Sequence, residues 1–476
     1  DYTVSAAETK KDGSKINGML VADEEGKCLG FRELVIMADG TKKMAGEIIN
    51  GDRLMGPHGD IKIVSGCSSG TGQMYRVSSK FGSFECNGEH VLSLRTSNNR
   101  VFPGVKIKEI INISVNKFIS LSDQKKRNLK LYRGLLHFDD KRLEIEPYWL
   151  GLWLGDGNHN NACLTNIDKE VIDYCEFFAK NNDMNFYFFD KFIRITQKST
   201  KEIDVYQNGV FLKTFFFVKD VSSYCNMSKA SVLHYIRTKR KSTNGYFFVK
   251  RIRTNTLLSR LRKYNLLYNK HIPEDYLKNS RENRLQLLAG IIDTDGSRHS
   301  AKDKLCYEIT QKRIDLAKQI VDLANGLGFY ATINIKDAQM KRKDGSVYHC
   351  DVGRIRIYGN LYDIPVKIER KKYPKPECWR NRDSNVSWLK VEPIGIGEYY
   401  GFALDGDHLF MLGNQVVTHN TVNGNVLTRW DVNKNAQSLG DGTKIIGYSS
   451  HISTVEDINA SGLAYLDMLE LSDFYQ

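Results

Sequence analysis

The hexapeptide Val-Val-Thr-His-Asn-Thr at 416–421 and a cysteine near the other end of the chain, Cys28, decide how this sequence is organised. The side-chain amide of Asn420 can attack its own backbone carbonyl and cleave the chain, provided that His419 polarises the peptide. The thiolate of Cys28 can attack the preceding carbonyl and convert that peptide into a thioester. Thr421 offers a hydroxyl that can capture the upstream acyl group. A His-Asn-Thr tripeptide is also compatible with a surface turn, and a lone cysteine is also compatible with an inert buried thiol. The segments between them must therefore decide whether these residues cleave the chain.

Strand signals occur at both ends of the region 28–420. Leu34–Met37 followed by Ala-Asp-Gly-Thr at 38–41 predicts a strand and a hairpin turn. The segment 84–94 places His90 just before an alternating strand, and 399–418 predicts another strand pair. The middle of the chain is richer in helix signals. This pattern predicts one all-β domain that is interrupted by an insertion.

These segments resemble those of inteins, the protein-splicing elements of the Hint fold, of the endonuclease-bearing type found in the yeast vacuolar ATPase. The resemblance covers 28–420. It implies the following roles: Cys28 as first nucleophile, His90 supported by Asn87 as proton donor to the Lys27–Cys28 peptide, Thr421 as second nucleophile, and His419 as the group that assists cyclisation of Asn420. Many inteins carry an Asp where Gly401 stands, so no acidic helper is assigned. Thr is a weaker nucleophile than Cys, so slow capture with some side cleavage is expected.

Two apolar segments inside the insertion repeat one another. Leu-Gly-Leu-Trp-Leu-Gly-Asp-Gly at 150–157 and Leu-Ala-Gly-Ile-Ile-Asp-Thr-Asp-Gly at 288–296 predict helices with small residues four positions apart, which allow close helix packing. Gly157 and Gly296 suit the position just past a helix end. Two such helices side by side bring Asp156 and Asp295 together, a pair of oxygen ligands that suits Mg²⁺ in phosphodiester cleavage. The alternative for each segment alone is a buried packing helix with a glycine cap.

The two segments resemble the repeated motif of LAGLIDADG homing endonucleases. The resemblance implies Asp156 and Asp295 as metal ligands. It also implies Lys270 and Lys372 as active-site lysines that position water and neutralise phosphate charge. Lys371 could serve in place of Lys372.

Basic residues predict a nucleic-acid partner. The chain has a net charge of +13 and a pI near 9.1, and 237–270 holds eleven Lys or Arg without Asp or Glu. Segments 218–224 and 227–236 predict two short helices about a turn, with Ser228 as N-cap, similar to the helix-turn-helix repeats (NUMOD-type) of homing nucleases. The expected DNA-binding residues are Arg237, Lys239, Arg240, Lys241, Lys250, Arg251 and Arg253. The alternative is a solvated basic hairpin.

The flanking segments are expected to be pieces of a host protein. Gly18–Glu24 reads as an apolar strand ending in Asp-Glu, and with 445–457 it resembles part of a phage large terminase ATPase, although no phosphate-binding loop is present. Nine cysteines without a CxxC pair predict reduced thiols in an intracellular, cytoplasmic protein of a phage or microbial host. No membrane partner is expected, and the protein is expected to be a monomer.

The sequence therefore predicts a multidomain chain: an all-β, horseshoe-like Hint domain, interrupted by an α+β LAGLIDADG endonuclease with a pseudo-two-fold repeat, between short host tails. The predicted segments are the N-terminal host tail 1–27, Hint 28–145, endonuclease first half 146–202, helix-turn-helix insert 203–252, endonuclease second half 253–384, Hint 385–420 and the C-terminal host tail 421–476. Splicing is expected to need no cofactor, and the nuclease to need Mg²⁺ and double-stranded DNA that lacks the insertion. The alternatives are a freestanding LAGLIDADG nuclease and a DNA-binding regulator without enzymatic activity.

Overall fold

The computed structural model describes residues 28–98, 102, 104–198, 202–250, 255–301, 304–341, 347–375 and 383–420, together with the short antiparallel pair 17–18 and 430–431. The chain forms two compact units. Unit 1 contains 28–139, 325–330 and 383–420 of the described residues, and unit 2 contains 140–324 and 331–375. No helix among these residues is long and apolar enough to cross a membrane.

Unit 1 begins with short strands and two short helices. In chain order they are β1 (Leu29–Gly30), β2 (Leu34–Ile36), β3 (Lys42–Met44), β4 (Arg53–Met55), β5 (Ile61–Ser79), β6 (Gly82–Asn87), β7 (Val91–Thr96), β8 (Ile110–Ser114), α1 (Val115–Ser120), α2 (Asp123–Asn128) and β9 (Leu129–Tyr132). The predicted hairpin is confirmed, because β2 pairs with β3 about a turn in which Gly40 has φ +80°. His90 directly precedes β7, as expected.

The first part of unit 2 follows a helix–strand–helix–hairpin order. Its elements are α3 (Pro147–Asp156), β10 (Cys163–Thr165), α4 (Lys169–Asn181), β11 (Met184–Phe189) and β12 (Phe192–Gln197). The strands form an antiparallel sheet in the order β10-β12-β11. Pro147 stands at the first position of α3, where its missing N–H costs nothing. The buried side chains Val171, Cys175 and Phe178 mark the face of α4 that is turned to the interior.

The segment 203–250 is a small body with its own core. It contains β13 (Ile203–Gln207), β14 (Val210–Phe215), α5 (Val218–Tyr224), α6 (Lys229–Thr238) and β15 (Tyr246–Lys250). The two predicted helices are present, and the Ser228 side chain caps α6 by accepting from the Ser231 amide. The three-stranded sheet, ordered β14-β13-β15, was not predicted. Val205, Phe248, Val221 and Val232 fill the space between this sheet and the helices.

The second part of unit 2 repeats the order of the first part after two additional helices and with one additional strand. It contains α7 (Thr256–Lys263), α8 (Glu274–Leu277), α9 (Arg281–Asp295), β16 (Gly296–Ala301), β17 (Lys304–Gln311), α10 (Ile314–Gly326), β18 (Tyr330–Lys341) and β19 (Val347–Tyr358). The sheet order is β16-β17-β19-β18. From α9 onward, β17, α10, β18 and β19 correspond to β10, α4, β11 and β12 of the first part. The sheet orders β17-β19-β18 and β10-β12-β11 then coincide.

Helices α3 and α9 pack against each other through their glycines. A Cβ on Gly151 would lie 2.3 Å from the Leu287 carbonyl oxygen, and one on Gly290 would lie 2.3 Å from the Tyr148 carbonyl oxygen. Both contacts are to backbone, which cannot yield, so the two helix backbones approach as closely as the sequence suggested. This contact brings the ends of α3 and α9, with Asp156 and Asp295, to one place.

Gly157 and Gly296 do not adopt the left-handed conformation expected of glycines past a helix end. Their φ angles are −69° and −88°, in extended backbone. They are glycines for a different reason: a Cβ would lie 2.2 Å from the Trp153 carbonyl oxygen in one case and 2.7 Å from the Ile292 carbonyl oxygen in the other. After α3 and again after α9, the backbone therefore turns tightly over the last turn of the helix that it has just left.

The C-terminal segment completes unit 1. Its strands are β20 (Val386–Ser387), β21 (Leu389–Leu404), β22 (Leu409–Met411) and β23 (Val417–His419). One sheet of the described residues has the order β20-β9-β7-β23-β22, with β8 also paired to β7, and the other has the order β21-β1-β6-β5-β4. Strand β21 also pairs with β5 along its whole length. The core between the sheets thus combines residues from both ends of the sequence, such as Leu92, Phe402 and Phe410.

Candidate functional sites

Cys28 lies at the start of β1, completely buried. Asn87, at the end of β6, holds it on both sides. The Cys28 amide donates to Asn87 Oδ1 at 3.1 Å, and the Asn87 amide donates to the Cys28 carbonyl at 3.1 Å. The first of these hydrogen bonds engages the nitrogen of the peptide bond that the predicted thioester step would break.

The Cys28 thiol sits against a glycine and a serine. Burial raises its pKa to about 12, and the Ser68 hydroxyl 4.0 Å from Sγ lowers it only in part. The thiol is therefore protonated at neutral pH and needs a base to become nucleophilic. A Cβ on Gly401 would lie 2.5 Å from Cys28 Sγ. An acidic side chain at 401 would therefore clash with the Cys28 sulfur.

His90 and the C-terminal strand meet in the interior. His90 Nε2 lies 2.6 Å from the Thr418 hydroxyl, and both residues are fully buried. The His90 amide donates to the Asn87 carbonyl at 3.3 Å, so His90 and the residue that holds Cys28 share one turn. The sequence offered no signal for this contact, because 328 positions separate its two partners.

Asn420 is buried beside the strand that also faces Cys28. Its side-chain amide donates to the Phe402 carbonyl, and its backbone amide donates to the His408 carbonyl at 2.9 Å. The His419 and His408 rings lie 5.6 Å apart. Gly401 touches Cys28 and Phe402 touches Asn420, so two adjacent residues of β21 contact the two predicted break points. Thr421 and Lys27, which complete the predicted junctions, lie outside the described residues.

A second cluster forms where α3 and α9 end. Amide side chains from equivalent strands hold the two aspartates. Asn166 Nδ2 donates to Asp156 at 2.7 Å, and Gln311 Nε2 donates to Asp295 at 3.2 Å. The carbonyl oxygens of these two amides accept the backbone N–H two residues further on, from Asp168 at 2.8 Å and Arg313 at 3.1 Å. The sequence analysis missed both amides, since neither belongs to a motif.

Charges in this cluster perturb one another. Burial is the largest cause that raises the pKa of Asp295 to about 6, and the negative charge of Asp156 is the second. The positive charges of Lys270 and Lys371 oppose this rise. Burial also raises the pKa of Asp156. The pKa of Lys270 falls to about 8 through burial, and its Nζ donates to the Gly155 carbonyl at 3.0 Å. Two mutually repelling carboxylates beside lysines whose charged form is disfavoured by burial form an electrostatically strained centre.

Lys371, rather than Lys372, reaches this cluster. Lys371 is buried, and its Nζ donates to the carbonyls of Ile292 at 2.8 Å, Asp293 at 2.8 Å and Thr294 at 3.4 Å. Lys372 is half exposed and pairs with Glu369 at 2.5 Å. The expectation for Lys372 is therefore corrected. Lys371 contacts the residue before Asp295 just as Lys270 contacts the residue before Asp156.

The carboxylates offer a partial set of ligands for a divalent cation. Among the described residues, no group of three or more His, Cys, Asp or Glu could hold a metal. Mg²⁺ in nuclease-type sites is bound by one or two carboxylates, with water and substrate phosphates completing the octahedron. Asp156 and Asp295 fit that description, and a cation between them would relieve the repulsion that, after burial, raises the pKa of Asp295.

The predicted DNA-binding residues of the insert are exposed. Arg237 lies in the last turn of α6, and Lys239, in left-handed backbone with φ 53°, ends the helix. Arg240 and Lys241 follow, and Lys250 ends β15; all five side chains are exposed. Arg251 and Arg253 lie outside the described residues. Residues 203–250 hold eight Lys or Arg against two Asp.

Two known families match separate parts of the chain. Residues 31–138 match the family model described as Hom_end-associated Hint, and residues 271–363 match the model described as homing endonuclease. The chain joins a Hint domain to a homing endonuclease domain. This is the arrangement of an intein that carries an endonuclease.

Individual relatives cover parts of the chain. The replicative DNA helicase DnaB of Mycobacterium intracellulare is 36% identical over 297 residues, which are 61% of this chain and 37% of the helicase. The chain thus spans little more than a third of the length of that relative. The crystal structure of the gp41-1 intein is similar at 15% identity and TM-score 0.17, over 22% of this chain and 67% of that one. The crystal structure of I-DmoI in complex with DNA and Mn is similar at 14% identity and TM-score 0.20, over 45% of this chain and 89% of that one.

Proposed function

We propose that residues 28–420 are a self-splicing intein, which excises itself and joins residue 27 to residue 421. The observation that carries this proposal is the contact of Cys28 and Asn420 with Gly401 and Phe402, adjacent residues on one strand. Two break points that are 392 positions apart in sequence must be neighbours for an acyl group to pass between them. The particular likeness to the vacuolar ATPase intein stays a prediction.

The junction residues divide the chemistry among them. Asn87 holds the amide of Cys28, whose sulfur attacks the carbonyl of Lys27. His90 supplies the proton that the leaving amide nitrogen needs. Thr421 accepts the acyl group, and the Asn420 side-chain amide then attacks its own carbonyl with help from His419. The buried Cys28 thiol, with its high pKa, makes the first step slow without a base close by.

Incubation followed by gel electrophoresis and mass spectrometry tests the splicing proposal. The 54.4 kDa chain should yield an excised species of 393 residues and a ligated product joining the 27-residue and 56-residue tails. Asn420→Ala should block release at the C-terminal junction, while Cys28→Ala should abolish ligation. An intact chain after prolonged incubation would favour the alternative, a freestanding LAGLIDADG nuclease.

We further propose that unit 2 is a LAGLIDADG endonuclease that makes a site-specific double-strand break. The support is the matched arrangement at the ends of α3 and α9, where each half supplies one Asp and one amide, and a lysine from the second half contacts the residue before each Asp. Asp156 and Asp295 would hold Mg²⁺, which activates water and stabilises the leaving oxygen when bound. Lys270 and Lys371 lie beside the carboxylates and would neutralise phosphate charge.

The DNA substrate proposed is double-stranded and spans the insertion point in an uninterrupted copy of the host gene. Residues 203–250, with their capped helix α6 and excess of basic side chains, would add phosphate contacts as a helix-turn-helix module. Cleavage of such DNA by a monomer in the presence of Mg²⁺ tests this. Binding without cleavage, at any divalent-metal concentration, would favour a DNA-binding regulator instead.

The host protein is proposed to be a terminase-type ATPase of a phage or microbe, acting in the cytoplasm. The support is the acidic end of the segment Gly18–Glu24, which lies outside the described residues. The alternative host is a replicative helicase, as the name of the mycobacterial relative states for that protein. Sequencing an uninterrupted copy of the gene separates the two.

A further inference from the structure

Thr418 connects the two predicted junctions through one hydroxyl group. It directly precedes His419 and Asn420 on β23, and its Oγ1 lies 2.6 Å from His90 Nε2. The same hydroxyl donates to the Val91 carbonyl at 3.1 Å. Thr418 is fully buried, as is His90, so water does not compete for either contact.

The two hydrogen bonds fix the direction of the proton. A threonine hydroxyl has one hydrogen, and because the Val91 carbonyl oxygen can only accept, the contact at 3.1 Å assigns that hydrogen to it. Towards His90 the hydroxyl oxygen can only accept, so Nε2 must carry a hydrogen. A neutral imidazole with its hydrogen on Nε2 has its basic lone pair on Nδ1.

We propose that Thr418 is a positioning residue that holds His90 in the Nε2–H tautomer and thereby makes Nδ1 the working nitrogen of the first splicing step. The proposal rests on the proposed splicing function. Nδ1 takes the thiol proton as the Cys28 sulfur bonds to the carbonyl carbon of Lys27. It returns that proton to the Cys28 nitrogen as the carbon–nitrogen bond breaks, leaving a thioester and a free amine.

This arrangement suits the buried Cys28. Its thiol is protonated at neutral pH, so an imidazole that activates it must act first as base and then as acid. With the opposite tautomer, Nδ1 would carry the hydrogen and could not receive the thiol proton. Because Thr418 belongs to β23, the strand directly before Asn420, His90 is oriented only when that strand is in place. Activation of the N-terminal junction therefore requires that the strand of the C-terminal junction is already in place.

Thiol-induced cleavage at Lys27–Cys28 tests the proposal in the full chain carrying Asn420→Ala, which keeps the C-terminal junction closed. Dithiothreitol should cleave this parent. Thr418→Val replaces the hydroxyl by a methyl of the same shape and should slow cleavage about tenfold, the effect of losing one hydrogen bond of about 1.4 kcal/mol. Thr418→Ser restores the hydroxyl and should retain the parent rate. When His90 is replaced by Gln, Thr418→Val should have no further effect.

The tautomer itself is the second measurement. Nitrogen NMR of ¹⁵N-histidine-labelled protein, with His90 assigned through its Gln variant, should show hydrogen on Nε2 in the parent. Hydrogen on Nδ1, or cleavage by Thr418→Val at the parent rate, overturns the role of Thr418. If Thr418→Val does not fold, the smaller Thr418→Ala and the parent spectrum decide. Failure of the parent to cleave at all overturns the splicing proposal instead.

Discussion

Replacing Asp295 by Asn should stabilise unit 2 while abolishing its nuclease activity. Asp295 is largely buried, and its pKa is raised from an ordinary value of 3.8 to about 6 by burial and by the charge of Asp156. A carboxyl group whose pKa is higher in the folded state favours folding when it is protonated. That contribution is complete below the unfolded pKa and is lost as the pH rises through the folded one. At neutral pH the ionised Asp295 therefore destabilises the fold.

The size of this effect follows from the shift in pKa. About two pKa units at about 1.4 kcal/mol each give an upper limit near 3 kcal/mol, and we expect a gain of about 1–3 kcal/mol for Asp295→Asn. The gain should be absent below about pH 4, where Asp295 is neutral in both states. It should grow with pH and level off above about pH 6. Nuclease activity should be lost at every pH, because the amide is a poor ligand for Mg²⁺.

Asp293, on the same helix, provides the matched control. It is completely buried, but it accepts hydrogen bonds from the Tyr148 hydroxyl at 2.6 Å and from the Lys367 amide at 2.6 Å. Burial raises the pKa of Asp293 as well, but its hydrogen bonds from the Tyr148 hydroxyl and the Lys367 and Ile368 amides oppose that rise. An Asn there would turn N–H groups towards these donors and lose the hydrogen bonds, and we expect this loss to outweigh the relief of burying a charge, so Asp293→Asn should destabilise unit 2 by about 1–3 kcal/mol. Hydrogen exchange of the α9 amides, in full chains with both splice junctions blocked, measures both variants. A destabilised Asp295→Asn protein at pH 7.5 would refute the electrostatic argument.

Three further outcomes are expected. Lys371→Met should reduce DNA cleavage at least 100-fold. Lys372→Met should change cleavage less than twofold, because the ion pair of Lys372 with Glu369 is exposed. Equal losses in a cleavage assay would contradict the assignment of Lys371 as the active-site lysine. Gly290→Ala should destabilise unit 2 by about 1–3 kcal/mol, since the added Cβ meets backbone, and urea denaturation would show it. Charge reversal of Arg237, Lys239, Arg240 and Lys241 should weaken DNA binding and reduce its salt dependence without changing splicing; an unaltered salt slope in a filter-binding titration would contradict the role of the insert.

Sequence patterns predicted those parts of the structure that depend on local chemistry. Asp39-Gly40 predicted the first hairpin, Ser228 the start of α6, and the spacing of Gly151 and Gly290 the close contact of two helices. Each of these signals acts within one turn or one helix face. They could be recognised without knowledge of the fold.

The remaining features depend on contacts between distant residues. Thr418 contacts His90 only after β23 pairs with β7, and Asn166 reaches Asp156 only after β10 folds back over the end of α3. Lys371 and Lys372 are indistinguishable in sequence, and only the short helical turn before them decides which side chain is buried. Gly157 and Gly296 were expected just past a helix end, where they lie, but the reason for glycine is steric contact with the helix end and not left-handed backbone.

The pairing of β9 with β20 has a consequence for folding. The Arg133 amide donates to the Asn385 carbonyl at 3.0 Å, so unit 1 must bring together residues that are 252 positions apart. Closing a flexible loop of that length instead of one of about ten residues costs about 3 kcal/mol in chain entropy. A nuclease that is already folded shortens the effective loop and removes part of that cost. Loss of the nuclease fold should therefore restore this entropy cost, which slows the assembly of unit 1 and also weakens the assembled state, so a decaying endonuclease would burden the splicing domain that surrounds it.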